Sequence, residues 1–191
     1  MGWFGFTAGS YGAFSTEADA NNISTILLNT NLAAAGGVIA ASVLSYLKFR
    51  QVDLTFMING SLAGLVAITA EPLLPTPALA ILIGSVGGAL VVLSVPLLDR
   101  LKIDDVVGAI PVHLFAGIWG AVAVTLSNPE ATLRGQALGA AIIAGFVFVT
   151  TLVLWSLLNT LLKLRVSAES EETGIDVSDM GQEAYPEFAA Q

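Results

Sequence analysis

The chain is a succession of long runs without a charged residue, separated by short polar or charged breaks. Ile23–Leu47, Pro72–Leu98, Val106–Pro129 and Gly135–Leu162 each contain no Asp, Glu, Lys or Arg, and Leu54–Ala70 is a shorter run of the same kind. About 20 apolar residues in a helix cross a hydrocarbon core of roughly 30 Å. Backbone groups cannot stay unpaired in lipid, and the runs lack sustained alternation, so helices are favoured over a barrel. The pattern predicts helices near residues 23–47, 54–71, 75–98, 106–127 and 135–163. A further apolar segment near residues 2–14 is too short, because at 1.5 Å per residue it reaches only about 20 Å. It reads as the latter part of a truncated helix. Residues 1–166 form a predicted transmembrane region, and 167–191 a separate polar tail.

The basic residues orient this arrangement. Lys48 and Arg50 follow the second segment, Arg100 and Lys102 the fourth, and Lys163 and Arg165 the last. Of the seven Lys and Arg residues only Arg134 falls on the opposite side, which otherwise carries Glu17, Asp19, Glu71 and Glu130. The positive-inside rule then predicts a multi-pass protein of the cell membrane with a cytoplasmic C-terminus.

Composition agrees with the pattern. The chain is 55% hydrophobic and 12% charged, with a mean hydropathy of +0.80, against about 25% charged residues in soluble domains. The absence of cysteine excludes disulfides and thiolate metal sites. The net charge of -8 comes largely from the tail, where Glu169, Glu171, Glu172, Asp176, Asp179, Glu183 and Glu187 meet no basic residue, so no nucleic-acid surface is expected. Met1 leads into GWFGF without a basic region or cleavage site, and no signal peptide is expected. The tail reads either as a solvated segment or as a docking element anchored by Ile175, Val177, Met180, Tyr185 and Phe188.

The stretch DDVVGAIPVHLFAGIWG, residues 104–120, carries the only histidine, His113, inside an apolar run. An ionisable group at membrane depth is costly unless it faces a cavity or a partner. The residue alone leaves two readings open, a packed helix residue and a functional one. Pro111 lies two positions earlier and frees a carbonyl that only a neighbour or a cavity can satisfy. Close glycine spacings, Gly60 with Gly64, Gly84 with Gly87 and Gly88, Gly117 with Gly120, and Gly135 with Gly139, point to close helix packing. There is no metal-ligand cluster and no nucleophile paired with a base, so neither an enzyme nor a metal or cofactor protein is expected.

Four stretches, GWFGFTAGS at 2–10, INGSLAGLVAITA at 58–70, LKIDDVVGAIPVHLFAGIWG at 101–120 and LRVSAESEETGIDVSDMGQEAY at 164–185, resemble the ammonium transporter family (Amt/MEP, related to the Rh proteins) in order and spacing. The resemblance implies an all-α polytopic membrane protein with the ammonium transporter fold. In that family helices one to five and six to ten form an inverted repeat around a pore, and a long eleventh helix braces it. This chain would supply helices six to eleven, the first of them truncated, and the tail. It further implies a homotrimer in the full-length form, ammonium or ammonia as substrate, and a PII-type signal protein as a partner at the cytoplasmic face.

Residue by residue, the resemblance makes His113 the second of two pore histidines and Phe6 a pore-gating phenylalanine. Ser10 would help to recruit ammonium at the outer mouth, with Trp3 nearby, and Asp104 and Asp105 would be a structural pair. The tail motif, with Gly174, Asp176, Gly181 and Tyr185, would couple subunits. Thr7 stands where Asn is common, Leu114 where Gly often follows the histidine, and Met180 where the tail usually has His. The partner histidine, the other gating phenylalanine, the outer tryptophan and a conserved aspartate belong to helices one to five. The expected chemistry is recruitment of the cation by π faces and acceptor oxygens, deprotonation, and passage of neutral ammonia past an apolar constriction lined by imidazole. A half-repeat cannot enclose a pore that lies between two repeats. The alternative is therefore a non-conducting subunit that assembles with full-length transporters.

Overall fold

A computed structural model of the chain describes residues 2–162 and 164–182. The elements are α1 (Gly2–Gly9), α2 (Glu17–Phe49), α3 (Leu54–Thr69) and α4 (Pro77–Arg100). A π-helical turn (Ile110–Phe115) then leads into α5 (Ala116–Ala123) and a 3-10 turn (Val124–Leu126), followed by α6 (Leu133–Leu162), α7 (Ala168–Thr173) and α8 (Ile175–Ser178). Among the described residues there is no strand. Three helices, α2, α4 and α6, are long and apolar enough to cross a membrane, whereas α3 and Ile110–Leu126 are shorter apolar helices.

Several ends differ from the charge-free runs, and local chemistry explains each. The first helix stops at Gly9, short of residue 14, in a turn through Gly12, whose φ of 75° suits glycine. The second begins at Glu17, ahead of residue 23, because Thr16 and Asp19 form a capping box: Asp19 N donates to Thr16 Oγ1 (3.1 Å) and Thr16 N to Asp19 Oδ2 (2.9 Å). A charge-free run reports lipid, while the helix extends past it into the polar boundary. The fourth starts at Pro77, after the Thr76 cap. The stretch expected as one helix over 106–127 opens instead with a turn and the π-helical turn at Pro111. Two compact units are present, Met1–Ala141 and Ile142–Gln191. That boundary follows contacts and falls inside α6, whereas the compositional break at residues 166 and 167 follows solvent.

In the first unit, α2, α3 and α4 pack backbone to backbone. A Cβ on Gly37 would overlap the carbonyl oxygen of Gly60, and one on Gly88 would overlap that of Gly37. Gly37 is thus a node where three helices meet at distances that only glycine permits. The pairings also give direction. Ala33 and Gly37 of α2 meet Gly84 and Gly88 of α4, so these two run parallel, while Gly37 and Ala33 meet Gly60 and Gly64 of the antiparallel α3. Buried Ala33, Ala67, Ile68, Ala80, Ile83 and Ala123 form one apolar cluster, and Ala63, Val91, Val112 and Ala116 another. Pro96 within α4 lacks the N–H that would satisfy the Val92 carbonyl, and Lys48 Nζ donates to that oxygen at 3.4 Å.

The second unit contains the greater part of α6 and the tail helices. Ser167 caps α7 by accepting from Ser170 N (3.1 Å), and Arg165 grips Glu171 through both carboxylate oxygens (2.8 and 3.0 Å).

Candidate functional site

The site is built from α1 and the π-helical turn. Trp3 and Phe6 of α1 and Ser10 in the turn that follows it keep helical spacing, with Ser10 N bonded to the Phe6 carbonyl (3.0 Å), so they share a face. The buried Thr7 donates to the Trp3 carbonyl (2.7 Å). Trp3 Nε1 donates to Thr69 Oγ1 at 2.8 Å, which anchors α1 to the end of α3. Ser10 Oγ donates its one hydrogen to the Phe6 carbonyl (2.8 Å). Toward any ligand Ser10 can therefore only accept, which suits a donor-rich cation.

Asp105 receives Ala109 N and Ile110 N on its two oxygens, both at 2.8 Å, and so starts the next helical stretch. Asp104 is exposed beside it. Pro111 has no N–H for the carbonyl of Val107, and Asn59 Nδ2 of α3 takes that oxygen at 2.9 Å. The intervening Gly108 has φ 76°, and a Cβ there would sit 2.6 Å from Asn59 Nδ2. The helix opens into the π-helical turn, in which Ala116 N bonds the Pro111 carbonyl five residues back.

That turn carries His113 to Trp3. Their rings stack at 6.3 Å between centroids with an 18° interplanar angle, and Phe6 meets Trp3 edge-on at 6.4 Å and 68°. Among the described residues neither imidazole nitrogen makes a hydrogen bond, so both are available. His113 is exposed and Phe6 is 59% exposed. Phe6 borders two cavities. One, of about 200 Å³, also touches Ser10, Tyr11, Thr69 and Glu71. The other, of about 480 Å³, is apolar and touches Trp3, Leu62 and Leu65.

The structure thus brings Trp3, Phe6, Ser10 and His113 into one neighbourhood. Sequence reasoning did not single out Tyr11, Thr69, Asn59 or Asn29 as contributors, and it noted Glu71 only as an acid on the outer side. Asn29 is fully buried and donates to the carbonyls of Pro72 (3.0 Å) and Pro75 (2.8 Å), fixing the segment that follows Glu71. An amide inside an apolar run was the available signal for both asparagines. Tyr11 is held where the chain enters α2: it donates to Asp19 Oδ1 (3.2 Å) and accepts from Asn22 Nδ2 (2.8 Å).

In the second unit Gly174 (φ 96°) joins α7 to α8, and a Cβ there would lie 2.6 Å from Asp176 Oδ1. Gly181 (φ 63°) lies past the turn that follows α8, where Gln182 N bonds the Asp176 carbonyl (2.9 Å). Tyr185 lies outside the described residues.

A family profile described as the Ammonium Transporter Family matches residues 1–185. Ammonium transporter Amt2 of Archaeoglobus fulgidus is 35% identical over 98% of this chain and 44% of its own length. The ammonium transporter of Bacillus subtilis is 31% identical over 97% of this chain and 48% of its own. A solved structure titled Sensor Amt Protein superimposes with a TM-score of 0.82 at 32% identity, covering 93% of this chain and 46% of the other. The chain therefore spans less than half the length of these relatives.

Proposed function

The chain belongs to the ammonium transporter family, and on that premise we propose that its first unit forms one wall of an ammonium pore. In this reading Ser10 accepts from the cation at the outer mouth, Trp3 offers a π face, Phe6 is the constriction and His113 is the polar group in the dry passage. The observation that carries the reading is the stack of Trp3 on His113, with Phe6 edge-on to Trp3 between two cavities. Residues far apart in sequence, each of the type the chemistry needs, meet there. The open side of the stack, where His113 and Phe6 are exposed, is the side on which a second wall would stand. The distribution of Lys and Arg between the apolar runs of the sequence supports a cytoplasmic C-terminus. Homotrimer assembly and capture of a PII-type protein by the tail belong to the same reading.

Uptake of methylammonium by a transport-deficient cell carrying the full-length protein tests it. His113→Ala should reduce uptake at least tenfold, since one lost hydrogen-bonding group in a dry site amounts to about 1.4 kcal/mol or more. Uptake and selectivity unchanged in that variant would remove His113 from the pore.

A further inference from the structure

The cavity outside Phe6 contains a charge that the reading above does not use. Glu71 follows the C-terminal end of α3 and borders the same space of about 200 Å³ as Ser10, Tyr11 and Thr69. Among the described residues its carboxylate has one polar side-chain partner, Asn128 Nδ2, which donates to Oε2 at 3.3 Å. The ion pair found among the described residues joins Arg165 to Glu171, so no basic side chain described here neutralises Glu71. The carboxylate is half-buried, and its backbone is fixed on both sides. Glu71 N bonds the Ile68 carbonyl (3.2 Å), and Asn29 holds the carbonyls of Pro72 and Pro75. A carboxylate with most of its acceptor sites open, held at the wall of a cavity, is a place for a cation.

We propose that Glu71 supplies the charge that draws ammonium into the cavity between Ser10 and Phe6, before the cation loses its proton. The neighbours complete the donor balance. Ammonium offers four N–H groups and no acceptor. Ser10 presents only lone pairs, because its hydrogen is spent on Phe6. Thr69 likewise spends its hydrogen on the Leu65 carbonyl (2.6 Å) while accepting from Trp3. The acceptors on this wall are therefore pre-set to receive donors, and Glu71 adds the Coulomb attraction that neutral oxygens lack. A carboxylate attracts every monovalent cation, so its role is to raise local concentration. Discrimination falls to the steps beyond Phe6.

This rests on the transport reading, and the experiment separates the two. Concentration-dependent ammonium uptake is measured for the full-length protein as wild type, Glu71→Gln and Glu71→Asp, each at low and high ionic strength. Gln keeps an acceptor for Asn128 and removes only the charge. The expected result for Glu71→Gln is a rise of about three- to tenfold in the half-saturating concentration at low salt, with the maximal rate kept. The difference should shrink at high salt, where partly exposed charges are screened. Glu71→Asp should restore most of the affinity. A half-saturating concentration unchanged in Glu71→Gln overturns the proposal and leaves the transport reading standing. Equal losses in both variants at every ionic strength would make Glu71 a structural residue and overturn it as well. A wild-type protein that takes up no ammonium overturns the transport reading itself.

Discussion

Gly88→Ala sets two effects of known size against each other. Alanine in a helix interior is favoured over glycine by about 1 kcal/mol, so in open space the change stabilises. At residue 88 the new methyl group would overlap the backbone O, C and Cα of Gly37. Backbone cannot rotate aside as a side-chain end can, and Gly37 is backed by Gly60 of α3. The relief is for α4 to move off α2 by about 1 Å, which forfeits a quarter to a half of each dispersion contact along that seam. Val91 and Val92 in α4 and Ala33 and Ala41 in α2 are fully buried, so the loss is not made good by solvent. Overpacking of this kind costs about 1–3 kcal/mol and more where nothing can yield. Because backbone is what the methyl meets, the upper end of about 3 kcal/mol applies, and subtracting the propensity gain of about 1 kcal/mol leaves a net destabilisation of about 2 kcal/mol. Reversible unfolding of the purified chain in mixed micelles, followed by circular dichroism during titration with a denaturing detergent, measures it. Gly139→Ala, where nothing lies within 4 Å of the added methyl, is the control and should show no loss. A Gly88→Ala protein as stable as wild type would mean that the helices do not meet at glycine contact distance.

Asn59→Leu should leave the Val107 carbonyl without a donor and cost about 1–2 kcal/mol, between the penalty in water-soluble cores and the smaller average in membranes. Pro111→Ala in the same background returns an amide N–H to that position. It should recover part of the loss in the same unfolding assay, and no recovery would separate Asn59 from the proline. The 191-residue chain alone, purified into liposomes, should give no ammonium-dependent current, because the stack is open on one side. Such a current would show that one wall suffices.

The parts legible in the sequence were those governed by the solvent a segment meets. Charge-free runs located α3, α4 and α6 to within a few residues, because lipid excludes charge along a whole helix. The start of α2 was missed, although Thr16 and Asp19 spell a cap, because capping is a local signal that hydropathy averages away. Gly60, Gly64, Gly84, Gly87 and Gly88 were visible as close-packing residues and do meet other helices, while Gly135 and Gly139 share the spacing without a helix against them. Spacing alone does not say which face is covered. The central partner, Gly37, was passed over. At the site, the motifs put Trp3, Phe6, Ser10 and His113 forward. No pattern along the chain could join Trp3 to His113, since their meeting depends on how α1 docks on Thr69 and how Pro111 widens its turn. Glu71 and Asn59 act through tertiary neighbours, so each looked like an isolated polar residue.

The π-helical turn also separates what a residue is from where it is carried. Five-residue rings hold one more residue in an arc than an α-helix does. Deleting Leu114 would let Ile110–Phe115 close as ordinary α-helix. His113 would then swing by about 100° around the axis relative to Trp119. The imidazole would leave Trp3 although neither ring had been substituted. Chain length between Asp105 and Trp119 is therefore as much a determinant of this site as the letters within it. In an alignment, a gap of one position here weighs as heavily as loss of the histidine.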